Sequence, residues 1–460
     1  MATVFDPLRF AWACGQVWAD GAAGADVLAS RVEVRLQQLV SAARSGSALY
    51  RDKLSAWSGD TLCLDQIPTT TRAELMARFD DWVTDPSLSL SGLKSWLKDR
   101  DRVGEPWQGR YLVWESSGTS RQPGIFVQDA AALAVYDALE WLRRPPPTPQ
   151  RGWLDPWYAG DRLAFVGAIG GHFASEVMMR RLARVSPWLS GRVHHLSILT
   201  PLNRLLVQLN RLRPTVIVTY PSMATLLAEP ATAALLNFRP SEIWTGGEGL
   251  SRAMRQRIVD SLGCSVRNHY GASEFLPIAW ECLSGHLHVN ADWVLLEPVD
   301  ASGRPCQPGD MSATTLLTNL ANRVQPLIRY DLGDQTRTVP GACDCGSPLP
   351  RIEVLGRRDE PICMEGRHGQ VVTLLPLALT TVLEEEAGVF DFQLVRLNAR
   401  SVCLRLPLSA QGGEALALRC RHVLQRFWEH QGLAPLVLSI DRVQHAPRSG
   451  AGKARRVVSA

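Results

Sequence analysis

The sequence predicts an α/β protein with a large N-terminal body and a small C-terminal unit, and three observations carry that reading. At 460 residues the chain exceeds one ordinary domain. From about Tyr111 to Glu274, short β-branched or apolar runs alternate with segments of helical period, the alternation of an α/β domain. Beyond Glu274 the pattern turns to short strands, and the last hundred residues carry strand and helix cues of their own.

The elements follow in order. "YLVWE", "GIFVQD", "RLAFVGA", "TVIVTY", "SEIWTGG" and "SVRNHYG" read as strands, because β-branched and aromatic residues fill them and turn residues bound them. Between them, "AALAVYDALEWLRR", "SEVMMRRLARV", "LNRLLVQLNRL" and "SRAMRQRIVDSL" place apolar residues three and four apart, which predicts helices. The Pro-rich "RRPPPTPQRG" interrupts the series as an exposed loop. "GHLHVNADWVLLEPVD" and "SATTLLTNL" then suggest a β subdomain. The glycine and charges of "LGRRDEP" mark a hinge, dividing a body of residues 1–356 from a unit of residues 357–460. In that unit, "FDFQLVRLN" and "SVCLRLPL" read as strands and "EALALRCRHVLQRFWEH" as a helix, an α+β arrangement. No internal repeat is found, and the first hundred residues carry no motif that can be interpreted.

Composition narrows the function classes. Hydrophobic residues make up 46% and charged residues 20%, an ordinary folded balance. The formal charge of +4 is small, and no basic run with interleaved aromatics appears, which argues against a nucleic-acid partner but suits a polyanionic substrate. The N-terminus lacks the succession of a signal peptide, and no apolar stretch approaches the roughly 18 residues of a membrane span. A cytoplasmic protein without membrane contact is expected. Ten cysteines in so long a chain do not make a disulfide framework, so most should be reduced thiols. Of 49 basic residues only four are lysines: Lys53, Lys94, Lys98 and Lys453.

One short stretch poses the functional question. "SSGTS", from Ser116, follows an apolar run, and small residues there let backbone N–H groups approach phosphate oxygens while hydroxyls add donors. The same residues also make ordinary turns. Company decides between the two: "TGGEGLS" (245–251), "NHYGASE" (268–274), "RYDLGD" (329–334), "GRRDE" (356–360) and "PRSGAGKARR" (447–456) follow in order. The ordered set resembles the adenylate-forming superfamily of acyl-CoA synthetases and adenylation domains. With its double-serine loop, short chain and Cys-x-Cys insertion, it is similar to the phenylacetate-CoA ligase branch, over roughly residues 110–456.

The resemblance implies a chemistry and its residues. An acid and Mg-ATP give an acyl-adenylate and pyrophosphate, and the acyl group then passes to a thiol, so charge placement matters more than a covalent nucleophile. Ser116, Ser117, Gly118 and Thr119 would hold the β and γ phosphates; where the family carries a glycine and a lysine, this chain has Arg121 and Gln122. Gly246, Gly247 and Glu248 would line the adenine and acyl pocket. Asn268, His269, Gly271 and Ser273 would surround the nucleotide, Tyr270 would stack on adenine, and Glu274 would reach Mg²⁺. Asp334 would accept both ribose hydroxyls, with Arg357 in support. Lys453 would meet the carboxylate and the α-phosphate as charge builds during adenylation, and a hinge at Asp359 would rotate it away for the thiol step. His172 and Phe173, with Gly271 and Ala272, are candidates for the acyl pocket; core packing is an equal reading for the first two.

Cys282, followed by His286 and His288, and the pair Cys343 and Cys345 offer three sulfurs and a nitrogen for a structural zinc. Similarity to zinc-carrying members of the branch favours His288 as the nitrogen. The expected activity is ATP-dependent ligation of a small aromatic acid, of benzoate, hydroxybenzoate or arylacetate type, to coenzyme A or to the phosphopantetheine of an acyl carrier protein. A non-catalytic nucleotide-binding scaffold of the same fold is the rival. Monomer and homodimer both remain open.

Overall fold

The computed structural model describes residues 4–55, 64–116, 123–144, 160–186, 189–355, 361–389, 392–406, 413–443 and 456–459. Ser117, Gly118, Thr119, Arg121, Gln122, Arg357, Asp359 and Lys453 lie outside the described residues, as does the division at 356/357.

The N-terminal hundred residues are helical. Asp6 caps the helix Pro7–Gly21, accepting from Leu8 N at 3.0 Å and Arg9 N at 3.1 Å, with Pro7 in the first turn where its missing N–H costs nothing. Ala25–Gly46 follows, and Thr71 caps Arg72–Ala77 through Glu74 N. Buried charge fastens the first helices to the rest: Arg35 pairs with Asp20 at 2.7 Å and donates to Asp292 O, and Arg143 pairs with Asp292 at 2.7 Å. Both aspartates are fully buried, and Arg31 also pairs with Asp20 at 2.6 Å, so each buried charge is compensated.

A hairpin of β1 (Leu112–Glu115) and β2 (Ile125–Gln128) leads into the helix Ala130–Arg143. The main sheet has nine strands in the order β13-β14-β9-β8-β7-β6-β5-β3-β4. Its parallel half comprises β3 (Leu163–Gly167), β4 (Val193–Ser197), β5 (Val216–Thr219), β6 (Glu242–Thr245) and β7 (Ser265–Ala272). The helices Ala174–Val185, Leu202–Leu212, Pro221–Leu227 and Arg252–Leu262 connect them. From β7 the pairing turns antiparallel through β8 (Phe275–Glu281), β9 (Leu287–Val289), β14 (Arg351–Leu355) and β13 (Gln335–Val339). A separate antiparallel sheet holds β10 (Val294–Val299), β11 (Thr314–Asn319) and β12 (Tyr330–Asp331).

The smaller C-terminal unit pairs β15 (Ile362–Glu365) with β16 (Val371–Leu374) and builds a four-stranded sheet in which β18 (Ser401–Leu406) and β19 (Val437–Arg442) join β17 (Gln393–Asn398) and β20 (Val457–Ser459) in the order β19-β18-β17-β20, with the helices Pro376–Glu385 and Gly413–His430. Its last strand, β20, runs parallel to β17. Every strand and helix expected between 111 and 274 is present. Among the elements not foreseen are the short helix Pro221–Leu227 and β4, "VHHLS", whose two histidines hide the strand pattern and which is tolerated because it forms the sheet edge. No helix among the described residues is long and apolar enough to cross a membrane.

Candidate active site

In open α/β sheets ligands gather outside the carboxyl ends of the parallel strands. Those ends carry the expected segments here: β3 runs out into Ala168–His172, β5 into Tyr220, β6 into Gly246 and Gly247, and β7 ends at Ala272. Gly247 adopts φ +78°, and a Cβ on it would sit 3.1 Å from the Tyr220 ring, so the turn requires glycine twice over. Glu248 faces the helix Pro221–Leu227, accepting from Ser222 N and Ser222 Oγ at 3.0 Å each. Asn268 accepts from Thr245 Oγ1 at 3.1 Å, and His269 Nε2 lies 3.1 Å from Glu140 Oε1. The β7–β8 hairpin is tight: a Cβ on Gly271 would fall 2.0 Å from Leu276 O.

Two motifs sixty residues apart meet at one hydrogen bond. The Tyr270 hydroxyl donates to Asp334 Oδ2 at 2.9 Å, with Asp334 placed just before β13. Burial, then the Asp334 charge, pushes the Tyr270 phenol well above its ordinary value. Glu274 is buried beside them and hydrogen-bonds Tyr330, while Asn319 Nδ2 holds its carbonyl at 3.1 Å. Burial pushes the Glu274 carboxyl up, against the pull of Tyr330 and Arg72. Ser273 fixes the same turn, its carbonyl accepting from Trp114 Nε1 at 2.8 Å.

Arg329, preceding Tyr330, adopts φ +46°, a left-handed conformation that costs a non-glycine residue roughly 1–2 kcal/mol. Its guanidinium holds it there, donating to Asp65 O and Ile67 O at 2.8 Å each and pairing with Glu297 at 3.1 Å. Beside it Thr70 N donates to Arg329 O at 3.0 Å, and Asp331 N donates to Thr70 O at 2.9 Å. This pairing brings Arg72 into the site. Arg72 Nη1 lies 3.3 Å from Ser116 Oγ, its charge acts on Glu274 and Tyr330, and its Nε is buried without a hydrogen-bond partner. Sequence reading missed Arg72; the signal was "TTR" opening a capped helix, which alone says nothing about a phosphate site. Ser116, half of the double serine, closes the base of the hairpin by accepting from Gly124 N at 2.8 Å.

His172 and Phe173 stand next to that base, since Glu115 N donates to His172 O at 2.7 Å. The His172 ring packs on Trp96, with centroids 4.8 Å apart, and its Nε2 lies 3.0 Å from Asp99 O. Its Nδ1 is buried without a partner, and burial lowers the pKa of the ring. Tyr220 is enclosed on the other side of the same loop; burial pushes its phenol up to about 12, against hydrogen bonds from Ala168 and Ser175.

Away from these residues, Cys282, His288, Cys343 and Cys345 bring one ligand atom each within 4.8 Å of one another. Cys282 Sγ and Cys343 Sγ are 3.9 Å apart, and Cys345 Sγ is 3.3 Å from His288 Nε2. Tetrahedral zinc with sulfur at about 2.3 Å and nitrogen at about 2.0 Å requires separations of about 3.8 and 3.6 Å, so the donor set fits. His288 Nδ1 donates to Leu349 O at 2.8 Å, which leaves the Nε2 lone pair facing the sulfurs, and burial lowers the pKa of the ring. His286 is not in the cluster.

Comparison with solved structures decides what the architecture is. The chain matches 2-hydroxyisobutyryl-CoA ligase in complex with 2-HIB-AMP and CoA with a TM-score of 0.59 and 19% identity, over 96% of this chain and 91% of that one. The fold is that of the adenylate-forming enzymes. Among curated proteins, the phenylacetate-coenzyme A ligase of Escherichia coli strain K12 is 27% identical over 244 residues, 49% of this chain and 48% of that protein. The corresponding ligase of Pseudomonas putida is 27% identical over 217 residues, 44% of each. These alignments span about half the length of the relatives. No family model matches the chain. The likeness to the phenylacetate-CoA ligase branch drawn from the motifs is thus met by relatives at low identity, within an adenylate-forming fold.

Proposed function

We propose that the chain is an AMP-forming acid–thiol ligase that adenylates a small aromatic carboxylic acid and passes the acyl group to coenzyme A or a carrier-protein phosphopantetheine. The observation that carries this reading is the convergence of Tyr270, Asp334, Glu274, Tyr330 and Arg72 at the carboxyl ends of the parallel strands. Asp334, held by the Tyr270 hydroxyl, would meet the ribose as the motif set implies. Arg72, with Nε unsatisfied and Nη1 on Ser116, offers charge where phosphates would lie and so stands in for the lysine that the phosphate loop lacks.

Glu274 suits a Mg²⁺ ligand, because a buried carboxylate whose proton affinity is raised gains from a nearby cation. When bound, Mg²⁺ would neutralise charge developing on the phosphates. Lys453 would complete the adenylation site as the motif set implies. Cys282, His288, Cys343 and Cys345 would hold a structural zinc through which no step passes. The aromatic class rests on the named relatives and on the Trp96 ring packed against His172.

Acid-dependent ATP–pyrophosphate exchange over benzoates, hydroxybenzoates, aminobenzoates and arylacetates tests the reading. Exchange with one acid, lost in Lys453→Ala, is expected. ATP binding with no exchange for any acid would overturn it in favour of a nucleotide-binding scaffold.

A further inference from the structure

The helix Pro376–Glu385 leads directly into a third carboxylate, so Glu384, Glu385 and Glu386 stand together at its C-terminal end. A helix C-terminus is the negative end of the backbone dipole, so three acids there repel both one another and the helix. Two of them are answered within their own unit. Glu384 is buried in an ion pair with Arg456, whose guanidinium also lies 5.0 Å from the Phe392 ring centroid. Glu386 pairs with Arg426 on the helix Gly413–His430.

Glu385 takes its counter-charge from the other unit. Arg100 Nη1, on the N-terminal body, lies 3.6 Å from Glu385 Oε2, and the Glu385 side chain is only 13% exposed. Its other oxygen, Oε1, is buried without a hydrogen-bond partner. Arg100 acts at the same time on Glu115, the last residue of β1 and the neighbour of Ser116. It therefore stands between one carboxylate of each unit, beside the strand that leads into the candidate phosphate loop. The residue before it, Asp99, supplies the carbonyl that meets His172.

We propose that Arg100 and Glu385 are positioning residues that seat the C-terminal unit against the phosphate-loop strand and so set the balance between adenylation and thiol transfer. The catalytic half of this inference rests on the ligase reading; the seating half rests on the burial of Glu385 against Arg100, which offsets part of the cost of the carboxylate's charge when it ionises. Neither residue touches the reacting atoms. Their effect is on where the C-terminal unit, with Lys453 three residues before Arg456 in sequence, spends its time.

The seating has a proton linked to it. Burial, with the charges of Glu384, Glu386 and Glu115 outweighing the pull of Arg100, pushes the Glu385 carboxyl up to about 7. The charged groups facing it are Arg100 and Glu115 on the body and Glu384 and Glu386 on its own unit; Lys94 acts on Glu115, and Arg456 and Arg426 pair with the two neighbours. With the units apart, the burial and the Glu115 charge are relieved, so the carboxyl falls back toward the ordinary carboxylate range, with Glu384 and Glu386 still raising it. Seating therefore takes up a proton, is favoured below the raised value and weakens above it, by roughly tenfold between pH 6 and pH 8.

The test uses the full chain and two readouts. Amide-exchange protection of 376–385 and 111–116 reports seating at pH 6 and pH 8, and the rate of pyrophosphate exchange relative to thioester formation from supplied acyl-adenylate reports the balance. Wild type should lose roughly tenfold protection on going from pH 6 to pH 8. Glu385→Gln should keep the low-pH protection at both values; Arg100→Ala should lose protection mainly at pH 8, and Arg100→Lys should restore it. The ratio of half-reactions should move with protection. Protection indifferent to pH and to Glu385→Gln and Arg100→Ala would overturn the proposal, and protection that moves while the ratio stays fixed would overturn its catalytic half. If no acid supports exchange, the ligase reading fails, and seating is judged on protection alone.

Discussion

Replacing Tyr270 by phenylalanine keeps the ring and removes only the hydroxyl that reaches Asp334 Oδ2 at 2.9 Å. A hydrogen bond to a charged acceptor is worth about 1.5–3 kcal/mol, and here the donor is constant, because burial keeps the phenol protonated at any assay pH. Asp334 is only half-buried, so water replaces part of what is lost. A net loss of about 1 kcal/mol remains, which predicts a roughly fivefold weaker ATP dissociation constant in Tyr270→Phe. Asp334→Ala, which also removes the carboxylate proposed to meet the ribose, should cost about 3 kcal/mol, near 150-fold. The double variant is the decisive one. If the tyrosine acts by orienting the aspartate, its removal costs nothing further once the aspartate is gone, and the cycle shows a coupling of about 1 kcal/mol. Titration of Mg-ATP by calorimetry reads all four proteins. Full additivity, with Tyr270→Phe costing the same in both backgrounds, would refute the orienting role and assign the hydroxyl a contribution independent of Asp334.

Other expectations follow from the same geometry. The purified chain should carry about one zinc, and Cys343→Ser or chelation should remove it and lower the thermal midpoint by roughly 5 °C, which metal analysis and calorimetry check. Arg72→Ala should raise the KM for ATP about tenfold with little change for the acid, and Arg72→Lys should recover part of it; equal effects on both substrates would contradict a phosphate-facing role. Gly271→Ala should destabilise the fold by about 3 kcal/mol or more, since its methyl would sit 2.0 Å from Leu276 O, and denaturant unfolding would reveal a tolerated substitution at once.

Legibility from sequence followed the strength of local pattern. The strands and helices of the α/β half were readable because "TVIVTY" and "LNRLLVQLNRL" have clear periods, whereas β4 was not, its histidines breaking the period. The N-terminal helices went unassigned although Asp6-Pro7, Ser47, Thr71 and Ser89 all announce helix starts. The site showed the same division. Tyr270, Glu274 and Asp334 were nameable because each sits in a recognisable run, and the Cys/His cluster because of its tight Cys-x-Cys pair; His288 rather than His286 lies in that cluster. Arg72 was beyond reach, because its role arises only when Thr70 pairs with Tyr330 across some 260 residues of chain.

That pairing is one of several stitches between the two ends of the N-terminal body. Trp82 Nε1 bonds Pro326 O, Thr84 N bonds Val324 O, and Ile328 N bonds the Tyr50 hydroxyl, over separations of 240 to 278 residues. During synthesis at about 5–20 residues per second, the first helices would wait on the order of 10–60 s before residues 324–331 exist for them to close upon. Until then Tyr50 and Trp82, both fully buried at the end, have no final partner there. The end of this body that carries the candidate site is consequently closed late on the ribosome, and the waiting helices are where a chaperone would have the longest opportunity to bind.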